Sequence, residues 1–178
     1  MNMPILIAIA TIAVGVYFFI IRTRNAAHIA GELADVAGDI AGAARRFGFR
    51  RRANVHPVES IEDPNLAIGA IASAFAELDD YPTKEQQDTL SRALQSELNL
   101  SLTDAEENMI LGRWFTSECG GPASAIARLS RKLYKLQGAD AIPALMAILQ
   151  QVAQANSTEM SDRQTTALPD IKRAFHLK

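Results

Sequence analysis

The sequence predicts an all-α chain: an N-terminal transmembrane helix, an Ala-rich helix, then a bundle of six to seven short helices. Three observations predict it. An uncharged run of eighteen residues lies between Pro4 and Ile21. Beyond it, apolar residues recur at intervals of three and four. Helix-capping signals then follow at short spacing, with no segment of strand-like alternation.

The first element is "PILIAIATIAVGVYFFII", residues 4–21. At helical rise it covers about 27 Å, close to the hydrocarbon thickness of a bilayer. The run ends in "YFFIIRTR" and lacks both a basic leader and a small-residue cleavage site, so an uncleaved anchor is expected rather than a signal peptide. Arg22 and Arg24 follow the run and no Lys or Arg precedes it. The positive-inside bias then predicts a single-pass protein of the inner membrane of a bacterial cell, N-terminus outside and C-terminal domain cytoplasmic. Tyr17, Phe18 and Phe19 suit an interfacial anchor.

Residues 22–49 read as a juxtamembrane Ala-rich helix. Ile29, Leu33, Val36 and Ile40 fall at heptad-like spacing, with Ala30, Ala34, Ala37 and Ala41 beside them. One face is thus apolar and small, which suits close packing against a partner helix in a membrane-protein complex or a second copy of the chain. Folding back on the chain's own domain, or lying on the membrane surface, uses the same stripe. The helix ends in "RRFGFRRR", where Arg45, Arg46, Arg50, Arg51 and Arg52 are concentrated in a chain of net charge −2. Such a cluster suits membrane lipid or an acidic partner protein. Nucleic acid ranks below both, because it would need support from a domain surface that is net acidic here, and solvated arginines without a function are the plain alternative.

Residues 50–63 combine polar residues with Pro57 and Pro64 nearby and read as a linker, and 64–178 as the helical domain. Asp63 is the expected cap of a first bundle helix with Pro64 at its first position. Thr83 with Gln86 opens the second as a capping box, and Thr103 with Glu106 the third. Gly120, Gly121 and Pro122 stop that helix and start a fourth, ended by Gly138. Asp140 begins the fifth, and Ser161 with Gln164 opens the last, which Pro169 should kink or divide.

Two hairpins look alike. "AFAELDDYPTKEQQ" and "QVAQANSTEMSDRQ" each end an apolar helix on Ala, turn through small or acidic residues, and reopen on Thr or Ser with Gln three positions later. This resembles the TerB-like (tellurite-resistance B) superfamily, with its two helical hairpins and an "A-x-A-D-G-x-[IV]-S-x-x-E" pattern, over about Leu66 to Leu177. The resemblance implies a TerB-like bundle and, in some members, divalent metal at the acidic turns. Here Asp79 matches the pattern's Asp, while Asp80 replaces its Gly and Gln86 its Glu. The second turn has Asn156, Ser157 and Gln164, so carboxylates that would hold a hard cation are missing there. The metal candidates are Asp79, Asp80 and Glu85, and ordinary helix-dipole partnership explains the same residues. An anchor followed by such a domain also resembles the membrane-anchored DnaJ-like co-chaperones, but "VHPVES" lacks the Asp after His56-Pro57 and no J domain follows.

Catalytic signals are thin. His28, His56 and His176 lie in separate segments, Cys119 is the sole cysteine and has no neighbouring His in sequence, and no phosphate-binding Gly-rich loop occurs. "GGPASA" is explained by helix punctuation, and Arg131, Lys132 and Lys135 by a solvated face. No catalytic residue and no cofactor are expected. The expected function is a membrane-anchored, non-enzymatic interaction module or accessory subunit that binds or stabilises a membrane-protein complex. The alternative is a metal-responsive stress or tellurite-resistance-type sensor.

Overall fold

The computed structural model describes residues 38–50, 52, 54–155 and 160–176, and among these every regular element is helical. A segment α1 over 38–46 and a 3-10 turn at Pro57–Ser60 lead into six longer helices. These are α2 (Pro64–Ala76), α3 (Lys84–Leu98), α4 (Leu102–Glu118), α5 (Pro122–Gln137), α6 (Ile142–Gln154) and α7 (Asp162–Ala174). The fold class read from the sequence needs correction in one respect. No helix among the described residues is long and apolar enough to cross a membrane. The expected span, 4–21, lies outside the described residues, and the described residues form a helical bundle in which no element spans a membrane. The most apolar described helix, α2, has thirteen residues, which rise only about 20 Å.

That apolarity has an internal cause. Every residue from Leu66 to Ala76 is buried, because α2 is the central helix, packed against α3, α4, α5 and α6. Small residues let α4 come close. A Cβ on Gly69 would run into the Asn108 side chain, and one on Gly112 into Ser73, with the Ala70 Cα 3.2 Å away. α3 bridges α4 and α6, and α7 packs on α5.

Local capping chemistry sets the boundaries. The Asp63 carboxylate accepts the Asn65 N–H at 2.8 Å, with Pro64 in the first turn. Reciprocal capping boxes open α3 (Thr83 with Gln86) and α7 (Ser161 with Gln164). The third expected box does not form. Asn99 closes α3 in the left-handed region, φ 53°, and the chain turns so quickly that Ser101, not Thr103, meets the first free N–H groups of α4. The Ser101 hydroxyl accepts the Asp104 N–H at 3.1 Å. Gly120 and Gly121, at φ 77° and 129°, make the turn into α5. Asp140 falls in a 3-10 turn at Gly138–Ala141 rather than opening α6, which starts at Ile142. α7 runs through Pro169 undivided, because proline removes a single N–H donor at a solvent-exposed position.

The stretch expected as a linker is packed against the bundle. Val58 and Ile61 are fully buried, and the 3-10 turn lies on α4 and α5. Ahead of it, Ala43 of α1 is fully buried, while Phe49 sets its ring edge-on to Trp114 and Phe115 at centroid distances of 5.6 and 5.3 Å.

Candidate functional site

The apolar stripe of α5 points Ile126, Leu129 and Leu133 into the core, which leaves its flanks for α7 on one side and for the 3-10 turn on the other. α7 contributes buried Ala167, Ile171 and Phe175, and Phe175 meets Tyr134 edge-on at 5.7 Å. Between the two helices runs an open groove with two chambers that share Asp170. The first, about 500 Å³, is floored by Leu78, Ile126 and Ala167 and rimmed by the Gly120–Ser124 turn. The second, about 470 Å³, is walled by Arg131, Tyr134 and Lys135 of α5 and by Arg173 and His176 at the end of α7.

The charges in the groove are unevenly matched. Asp170 is held by Arg173 at 2.7 Å. Arg128 and Lys132, on the other flank of α5, are engaged by Glu59: its carboxylate stands 3.5 Å from the Arg128 Nε and its carbonyl accepts from the Lys132 Nζ at 2.9 Å. Among the described residues Arg131 and Lys135 have no ion-pair partner. The second chamber is therefore net positive. The first holds Asp162 and Asp170 with Arg163, whose guanidinium donates to the Leu78 and Asp79 carbonyls at 3.0 and 3.4 Å.

That last contact bears on the metal candidates. It joins the two look-alike hairpin turns and places a cation on two backbone carbonyls of the first acidic turn. Asp79 and Asp80 are exposed, the Asp80 carboxylate accepts the Tyr81 N–H at 2.7 Å, and Glu85 is exposed in the first turn of α3. Among the described residues no group of three or more His, Cys, Asp or Glu stands together to hold a metal ion.

Two members of the basic cluster are paired within the chain. Arg46 pairs with Glu107 at 2.7 Å and approaches Asp104 at 3.5 Å. Arg52 pairs with Glu62 and donates its own N–H to the Ser60 hydroxyl. Arg45 and Arg50 are exposed, and Arg51 lies outside the described residues. Of the expected helix-packing face, Ile40 packs against the chain's own core and Ala41 is exposed. Ile29, Ala30, Leu33, Ala34, Val36 and Ala37 lie outside the described residues.

The Cys119 thiol is not activated. Burial pushes the Cys119 thiol up; Arg128 partly opposes this, and the Glu118 charge adds a smaller push in the same direction as burial. The thiolate is thereby disfavoured. His56 acts as a cap: its Nδ1 accepts the Val58 N–H at 3.3 Å, and Nε2 lies 3.2 Å from the Glu118 carbonyl. The tautomer protonated on Nε2 satisfies both contacts. His176 meets Tyr134 edge-on at a centroid distance of 5.0 Å, and His28 lies outside the described residues.

The groove was missed by the sequence reading because it depends on α7 lying against α5. The available signal was the i, i+4 pair Arg131 and Lys135, one turn apart on a helix whose apolar stripe faces elsewhere. No family model matches the chain, and no curated protein or solved structure matches it.

Proposed function

We propose that this chain is a non-enzymatic interaction module, an accessory subunit that holds a membrane-protein complex from its cytoplasmic side through the α5–α7 groove. The observation that carries the reading is the groove itself: a chamber floored by apolar residues and one walled by basic residues, which share Asp170 and open between α5 and α7. Small-molecule sites enclose most of their ligand, whereas an open trough between two helices suits a protein segment that lays side chains into successive chambers. The TerB-like resemblance belongs to this reading. Matching capping boxes at the two hairpins, joined through Arg163, support it.

A photo-crosslinking residue at Ala123, on the groove rim, is expected to give a discrete protein adduct in growing cells. The same residue at exposed Lys84, outside the groove, should give none. Equal yields from both positions, or no adduct at Ala123, would remove the groove as the docking surface. Location at the membrane is part of the proposal, and the protein is expected in the membrane fraction. Recovery entirely in the supernatant would overturn that part alone.

A further inference from the structure

We infer that the segment docked in the α5–α7 groove is acidic, its carboxylates lying against Arg131 and Lys135 and its apolar side chains filling the chamber floored by Leu78, Ile126 and Ala167. The inference rests on the docking reading above and adds the chemistry and direction of the partner. Four cations line the outer faces of α5, and the bundle treats them in two ways. Arg128 and Lys132 are engaged by Glu59. Arg131 and Lys135 stand one turn apart on the groove side, like charges at i, i+4 with no ion-pair partner among the described residues. The single carboxylate in their chamber, Asp170, is held by Arg173 at 2.7 Å. A pair of cations flanking a concave site beside Tyr134 is relieved by an incoming carboxylate, and charge complementarity of this kind selects partners and fixes register.

The first chamber supplies the direction. Asp162 and Asp170 border it, and its one cation, Arg163, is already spent on the Leu78 and Asp79 carbonyls. Acidic side chains are disfavoured there, and the floor is apolar. The bound segment thus places apolar residues near the start of α5 and acidic residues near its end. A lipid surface fits less well, since headgroups meet flat or convex basic faces, whereas these cations wall a cleft.

A random peptide library selected against the full chain is the test, with binders measured by fluorescence anisotropy. Expected binders combine Asp or Glu with apolar residues, and they lose about tenfold or more in affinity to Arg131→Glu with Lys135→Glu. They also lose affinity to Ala123→Trp, which obstructs the apolar chamber. Both sites are surface positions, and circular dichroism verifies that each variant is folded. Binders blocked by Ala123→Trp but indifferent to charge reversal would overturn the acidic occupant and leave the docking surface standing. Binders indifferent to both variants would overturn both. Vesicles of equal phosphatidylglycerol and phosphatidylcholine that bind the wild type, and not the charge-reversed chain, more tightly than any selected peptide would assign the cations to lipid and overturn the inference.

Discussion

Phe49 shows how one side chain ties the segment before the 3-10 turn to the bundle. It lies beyond α1, in a stretch whose surroundings are arginines, yet its ring is nearly buried against Trp114 and Phe115 of α4. Phe49→Ala is expected to cost about 3 kcal/mol, the usual loss for an aromatic removed from a packed site, measured as a lower urea midpoint. An unchanged midpoint would show that the contact adds nothing to stability. Glu77 carries a prediction of the opposite kind. Burial raises its carboxyl pKa, and Arg113 only partly offsets this. A carboxyl whose folded pKa lies above its unfolded value favours the folded state fully below the unfolded value. That contribution is lost as the pH rises through the folded value. Glu77→Gln should therefore gain stability relative to wild type as the pH rises above the ordinary Glu range, while Arg113 keeps Gln87 and Tyr81 as partners. Melting temperatures of both proteins across that window check the sign. Neither residue is conspicuous in the sequence: an aromatic among arginines gives no periodic signal, and the environment of Glu77 depends on α4, which lies far along the chain.

At the level of elements, the tightest contact is the crossing of α2 and α4. Gly112→Ala would push a methyl group into Ser73 and onto the Ala70 backbone, and overpacking of this kind costs about 1 to 3 kcal/mol. Gly42, in α1, has open space where its Cβ would stand, so Gly42→Ala should instead stabilise by roughly 0.5 to 1 kcal/mol through helix propensity. Denaturant titration of the two variants gives opposite shifts if the crossing is as close as it looks, and a neutral Gly112→Ala would contradict it. The caps were legible where a Gln three residues on completed a capping box, as at Thr83 and Ser161, or a proline followed, as at Asp63, because capping is settled within four residues. At α4 two candidates, Ser101 and Thr103, lie two residues apart, and the left-handed Asn99 decided between them. Which helices pair was not legible. α7 follows α6 in sequence yet packs on α5, a choice made by buried surface that no local pattern encodes.

For the molecule as a whole, the arginine cluster shows the limit of reading charge along a chain. Composition suggested one basic patch, but Arg46 and Arg52 are drawn to carboxylates of α4 and of the segment before α2. Among the described residues α5 also carries unpaired positive charge, at Arg131 and Lys135, on a helix whose basic residues read as an ordinary solvated face. The all-α character of the described residues followed from periodicity and caps; the groove did not, because it is a product of two helices meeting across the fold. The central position of α2 also has a consequence during synthesis. Its eleven buried residues leave the ribosome well before α4, α5 and α6 exist to cover them, since the last of these ends at Gln154. At roughly 5 to 20 residues per second the nascent chain presents this bare apolar helix for on the order of ten seconds. A chain arrested after α4 should be bound by cytosolic chaperones at Leu66–Ala76, and one arrested after α7 should have released them.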